Sequence, residues 1–394
     1  MGNAELIARA DRVLMNNCRR QPVVLVRGRG ARVEDADGRS YLDFTSGVAV
    51  NAFGHAPAFL AEALAKQAAE LVHVSNLYYS APLVEAAERL TGLSGMERVF
   101  FCNSGAEAVE AAIKLARKYG RTKLGGRYEI VTAYRSVHGR TMGALTATGQ
   151  EKYQKDFAPL LPGFRYAVFN DLSSWREAVT PATCAFLLEL VQAEGGVYPA
   201  EPGFVRGLAE LAVQHGILLI FDEVQTGLGR TGKLFAWQHY GVKPQIITVA
   251  KGLGGGFPVG ALLAREEVAV FTPGDHQSTF GGNPLACAAV CACLDEMIKQ
   301  DLPGRAAALG AEIAGRIRAR QKEIGIIREL RGMGLLLGLE IEGRAPDYAE
   351  AALARGLLLN AVNETTLRIA PPLNISREEL AEAMGILQAV LAGK

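Results

Sequence analysis

Cysteine, histidine and charge of one sign are all in short supply in this chain, and each shortage excludes something. Six cysteines (Cys18, Cys102, Cys184, Cys287, Cys291, Cys293) are scattered with no CxxC pair, and the six histidines form no cluster beside them. That argues against a structural metal or a metalloenzyme, so no metal is expected. Cys287 and Cys291 fall on one face of an alanine-rich segment, where core packing is the expected role. The pattern suits a reducing compartment, and a cytoplasmic protein is expected. Lysine and arginine total 42 against 41 acidic residues, a net charge of +1, which speaks against nucleic acid or an anionic membrane as partner. No apolar run is long enough to span a bilayer. The first residues, with Glu5, Arg9, Asp11 and Arg12, lack the layout of a signal peptide.

What remains is a globular composition, 49% hydrophobic and 21% charged, in 394 residues. That length accommodates two or three domains and a large core. Asn3 to Asn17 reads as a helix, and Val33 to Phe44 as a hairpin around Asp37-Gly38. Phe59–Glu70 and Ala81–Leu90 have helical spacing. Strand, turn and helix then alternate. Strands are expected at Arg98–Cys102, Glu129–Tyr134, Cys184–Glu189, Ile217–Phe221, Ile246–Ala250 and Ala261–Ala264. The run Ile217-Leu218-Leu219-Ile220-Phe221 is apolar throughout, as a parallel strand buried on both faces should be. This is the α/β signature of a mostly parallel sheet covered by helices. Beyond the helix Pro284–Ile298, the remaining helices and short strands, among them Leu357–Val362 and Thr366–Ala370, read as a smaller α+β domain. The expected division is an N-terminal segment 1–45 packing with the small domain, a large domain 46–299 and a C-terminal small domain 300–394.

One stretch organises the rest. In Ile246 to Gly260 an apolar run ends on Lys251, and a glycine-rich loop follows. A lysine at the end of a buried strand is costly unless something uses it. It reads as the amine that forms a Schiff base with an aldehyde cofactor, or as a lysine capping a strand before a loop. Ser104-Gly105-Ala106-Glu107 follows a strand directly. Ser104 is a good N-cap with Glu107 in the capping-box position, and small residues there leave backbone N–H groups open to a phosphate. The same four residues also suit a plain helix start. Asp222 closes the most apolar strand, at the end where open α/β sheets place ligands. A pyridinium nitrogen would satisfy its charge, with Val224 packing on a ring face and Gln225 reaching a ring hydroxyl; capping the next helix is the alternative. Ser278-Thr279 precede Gly281-Gly282 in a further loop. Arg140 and Arg368 each call for a carboxylate partner, and Glu194 is a candidate.

NSGAEA at Asn103–Ala108, DEVQTGLGRTG at Asp222–Gly232, AKGLGGGFPVGA at Ala250–Ala261 and TFGGNPLA at Thr279–Ala286 resemble the class III aminotransferases. These are fold-type I enzymes that use pyridoxal phosphate, with a large mostly parallel sheet domain and a smaller α+β domain. The likeness runs from Gly28 to Pro372. VAVNAFGH at Val48–His55, SNLYY at Ser75–Tyr79 and LRIAPPL at Leu367–Leu373 are similar to the acetylornithine branch. The resemblance implies that Lys251 holds pyridoxal 5'-phosphate covalently and shuttles a proton. It implies that Asp222 pairs with the ring nitrogen, and that Ser104, Gly105 and Ala106 seat the phosphate. Val137, Glu223, Val224 and Gln225 would complete the cofactor site. Thr279 would reach the phosphate of a neighbouring subunit, making the enzyme a homodimer with active sites at the interface. Arg140 would hold the donor's distal carboxylate, with Ser278 also in the substrate site. Arg368 would take the α-carboxylate of glutamate or 2-oxoglutarate, masked by Glu194 when the other substrate is bound. Val137 stands where relatives carry an aromatic residue, and Cys18, Leu190 and Ala193 also depart from the pattern.

The implied reaction moves the δ-amine of N-acetylornithine to 2-oxoglutarate. Ornithine, succinylornithine, 4-aminobutyrate or a carrier-bound lysine precursor are the alternative donors. Val48 favours the acetylated donor, since ornithine enzymes of this class tend to carry tyrosine there. Arg140 and the Glu194–Arg368 pair speak against an aminomutase or decarboxylase on the same fold, and the complete set of Lys251, Asp222 and Thr279 speaks against a metabolite-binding protein that merely kept it.

Overall fold

A computed structural model describes residues 1–393. Seven strands form the central sheet, in the order Arg98–Cys102, Gly260–Ala264, Ile246–Val249, Leu218–Asp222, Thr183–Glu189, Glu129–Ala133 and Phe164–Ala167. Gly260–Ala264 runs antiparallel to both its neighbours, and the other pairs are parallel. Thr183–Glu189 and Leu218–Asp222 are buried at every position because helices cover both faces of the sheet. On one face the helix Gly105–Lys123 packs Val109, Ile113 and Ala116 against Ile220 and Ile246. On the other, the helix Pro202–His215 packs Phe204 and Leu208 against Phe186 and Phe221, and Gly216 ends it in the left-handed conformation.

A second sheet of four antiparallel strands takes the order Ile327–Met333, Leu336–Ile341, Thr366–Ile369, Asn360–Ala361. The N-terminal strands Leu25–Arg29, Arg32–Asp35 and Ser40–Asp43 form a third sheet with Leu357–Leu358, in which Leu42 pairs with Leu357. Strand Ser40–Asp43 thus joins the N-terminal sheet to the C-terminal part of the chain.

Three local expectations change. The first helix stops at Val13 rather than Asn17. Val13, Leu14 and Met15 are exposed and bury nothing that would hold a further turn. The expected strand Leu357–Val362 is two short strands, because the chain leaves one sheet after Leu358 and joins another at Asn360. Phe164–Ala167 forms an edge strand that its half-polar pattern does not announce. No helix is long and apolar enough to cross a membrane among the described residues.

Candidate active site

The carboxyl ends of the central strands open into a cavity of about 500 Å³. Glu189 and Asp222 end adjacent parallel strands in register, and Lys251 follows the next strand by two residues. Adjacent parallel strands therefore deliver two carboxylates and an amine to one place. Lys251 begins a 3₁₀ turn and has φ of 42°, a left-handed conformation that a residue with a Cβ rarely adopts. Its amine is drawn down to about 8, first by loss of water; Glu194 pulls it up and Arg368 pushes it down.

Asp222 is buried and fully engaged. Its Oδ2 lies 2.7 Å from Nδ1 of His138, and its Oδ1 accepts from the Val224 N–H at 3.0 Å and the Thr248 hydroxyl at 3.1 Å. Thr132 Oγ1 lies 3.2 Å from Nε2 of the same imidazole. With Nδ1–H donating to Asp222, Nε2 accepts from Thr132, which fixes the ring. Glu189 accepts from the Val137 N–H at 3.0 Å, and burial lifts its carboxyl to about 7.

Ser104 caps the helix Gly105–Lys123, its Oγ accepting from the Glu107 N–H at 3.2 Å. Such a cap stabilises by about 1 kcal/mol. Ser104, Gly105 and Ala106 line the cavity. A Cβ at Gly105 would lie 2.7 Å from Cγ1 of Val224, so glycine is required where the helix start meets that wall. Val137, Val224 and Gln225 are also on the cavity wall.

Arg368 is 2% exposed and donates Nη1 to Glu194, and at 3.3 Å to Oε1 of Gln225. Burial pushes the Glu194 carboxyl up, but Arg368 foremost, together with Lys251 and Gln225, holds it below the usual range. Glu194 and Gln225 stand on the cavity wall with Arg368 behind them. Arg230 supports this arrangement, donating Nη1 to the carbonyls of Leu335 and Pro371 and so tying the second sheet to the loop after Asp222. Arg140 also lines the cavity.

Three expected residues lie elsewhere. Glu223 faces away from the cavity: its carboxylate accepts from the N–H groups of Ala236 at 2.6 Å and Trp237 at 2.8 Å. Side chains alternate along extended chain, so the residue after Asp222 points to the other side. Ser278 and Thr279 are not on the cavity wall of their own chain. Ser278 Oγ accepts from Asn103 Nδ2 at 3.0 Å, and Thr279 is exposed. Conversely, His138, Glu189, Tyr153 and Asn103 line the site without having been singled out by sequence. Glu189 at the end of a continuous buried strand, in the position Asp222 occupies next door, is the one that pattern could have found.

The family model described as aminotransferase class-III matches residues 14–391. The acetylornithine aminotransferase of Caldanaerobacter subterraneus subsp. tengcongensis is 50% identical over 389 residues, covering 98% of this chain and 99% of that one. Among solved structures, the ornithine aminotransferase of Toxoplasma gondii superposes with a TM-score of 0.97 at 33% identity, over 99% of this chain and 94% of that one. The acetylornithine aminotransferase of Elizabethkingia anophelis gives a TM-score of 0.90 at 34% identity, over 100% of both chains.

Proposed function

The chain belongs to the class-III aminotransferases, and from that premise we propose that it transfers the δ-amino group of N2-acetyl-L-ornithine to 2-oxoglutarate. The products are N-acetylglutamate 5-semialdehyde and glutamate, a step of arginine biosynthesis. Enzymes of this family depend on pyridoxal 5'-phosphate. The residues present suit that group. A recessed amine, a helix N-terminus free of side-chain bulk and a buried carboxylate share one cavity. Bound there, the cofactor supplies an aldehyde for covalent attachment of amines and a ring that takes up the electron pair left when the neighbouring carbon loses its proton.

The chain's own groups divide the remaining work. The N–H groups of Gly105 and Ala106 are placed to hold the phosphate. Asp222, oriented by His138, Val224 and Thr248, supplies the counter-charge for a protonated ring nitrogen. Val137 and Val224 pack the ring, valine replacing π-stacking with plain contact. Lys251 holds the cofactor at rest, then carries the proton to and from the reacting carbon. Arg140 takes the donor's distal carboxylate, and Arg368 takes the α-carboxylate of glutamate once Glu194 swings aside. The observation that carries this reading is the ion pair between Glu194, which lines the cavity with Lys251, and Arg368 behind it, a charge pair able to close one anion site while the other is used.

The 50% identity to a protein named acetylornithine aminotransferase favours the acetylated donor, as does Val48 on the cavity wall. The test is a panel of N-acetylornithine, ornithine, succinylornithine and 4-aminobutyrate with glutamate formation as readout. N-acetylornithine should give the highest kcat/KM, and a higher value for ornithine would overturn the assignment.

The lowered Lys251 pKa has a sign that can be checked. Cofactor-free protein should capture pyridoxal phosphate faster as pH rises, levelling off above about 8 as the amine becomes free base. An ordinary lysine would keep accelerating towards its usual value near 10.4. The initial growth of visible absorbance measures the rate.

A homodimer completes the reading, in the cytoplasm, which six free cysteines suit. Leu71, Val72, Leu77, Tyr78, Tyr79 and Phe280 are exposed beside the loop that carries Thr279, an apolar area that a second copy would cover. Sedimentation should give twice the chain mass, and a monomer retaining full activity would exclude shared sites.

A further inference from the structure

We propose that Tyr153 is a positioning residue for the amino donor: its ring is a fixed shelf that aims the Arg140 guanidinium across the mouth of the cavity. The inference rests on the assignment of Arg140 to the donor's distal carboxylate. Among the described residues no carboxylate pairs with Arg140. Its Cζ lies 3.9 Å from the centroid of the Tyr153 ring, and both residues line the cavity. The ammonium of Lys152 lies 4.7 Å from the same centroid. Two cations gathered at one ring without an anion leave a local excess of positive charge at the cavity wall.

An exposed arginine has many rotamers, and holding it in one costs entropy each time a ligand binds. The ring face removes part of that cost beforehand, provided the ring itself is fixed. The segment that carries the ring is held at both ends. The Nε2 of Gln154 lies within hydrogen-bond reach of the carbonyls of Leu145 at 3.1 Å, Thr146 at 3.2 Å and Thr148 at 2.6 Å, and of the Tyr166 hydroxyl at 3.1 Å. The Nε2 of Gln150 donates to the carbonyls of Arg135 and Ser136, both at 3.1 Å. The short helix Glu151–Gln154 is thereby pinned to the loop that carries Val137, His138 and Arg140. Donor selection then depends on a residue that need not touch the reacting atoms.

The test compares Tyr153→Leu, Tyr153→Phe and wild-type holoenzyme in the separate half-reactions. Tyr153→Leu should raise KM for N-acetylornithine about twofold to fivefold, the range of a cation–π contact near a surface. Its kcat should stay within about twofold of wild type, and KM for glutamate should not move. Tyr153→Phe, which keeps the ring face, should behave as wild type. An intact cofactor absorbance band and an intact glutamate half-reaction report that the variant is folded. Equal KM changes for both substrates, no change for either, or a loss in Tyr153→Phe as large as in Tyr153→Leu would overturn the proposal. Failure of the donor assignment shows separately, in wild type on the panel above. The Tyr153 comparison is then run on whichever donor wild type prefers, with a simple alkylamine lacking a carboxylate as the donor that must be unaffected.

Discussion

Replacing Lys251 by alanine should lower transamination on the order of 10⁴-fold or more, and the visible absorbance of covalently held cofactor should disappear. Among the described residues no other amine lines the cavity, so none of them can take over either the covalent hold or the proton transfer. Folding should survive the change. Alanine at a φ of 42° is no worse placed than lysine. The buried amine is itself a burden: its proton affinity is lower folded, at about 8, than unfolded. A base depressed in this way costs stability in full below its folded pKa, and the cost fades as pH rises towards the unfolded value. At pH 7 the alanine variant should therefore melt no lower than cofactor-free wild type. Retention of wild-type turnover, or melting far below wild type, would remove Lys251 from its assigned place.

That lysine was legible in sequence because its neighbourhood is local: a mostly apolar strand, the amine and a glycine-rich loop follow one another directly. The buried strands around Ile220 and Leu187 were legible for a related reason, since burial on both faces leaves an unbroken apolar run. The Ser104 cap and Gly216 stop carry their signals in one or two residues. What escaped was long-range or side-dependent. Glu189 joins the site by accepting from Val137, 52 residues earlier, and His138 by meeting Asp222, 84 residues later. Neither pairing leaves a mark in the local pattern. The resemblance puts Glu223 in the cofactor site, but alternation sends it to Ala236 and Trp237. Tyr153 sits among polar residues from Glu151 to Lys155, and only the fold brings its ring against Arg140.

Arg368→Ala should divide the two half-reactions. The kcat/KM for glutamate should fall about 10²- to 10³-fold, in keeping with removal of one partner from a buried charged pair. The half-reaction with N-acetylornithine, followed by single-turnover change in cofactor absorbance, should fall by much less, because Arg140 and not Arg368 would meet that substrate. The structure adds a complication with its own signature. Arg368 is 2% exposed and Glu194 depends on it for its lowered pKa, so the single substitution strands a carboxylate. Stability should fall near neutral pH and recover as pH drops far enough to protonate Glu194. The double variant Glu194→Ala with Arg368→Ala removes that stranded charge. It should regain stability while remaining as poor with glutamate as Arg368→Ala, a cycle non-additive for stability and for glutamate binding alike, since unmasking gains nothing once Arg368 is gone. Glu194→Gln alone should act in the other direction, unmasking Arg368 and improving glutamate relative to N-acetylornithine. Equal losses in both half-reactions on Arg368→Ala would mean that the pair merely holds the second sheet against the cavity. Opposite shifts in the two single variants would instead identify a gate, in which one carboxylate decides which of two anion sites faces the Lys251 amine.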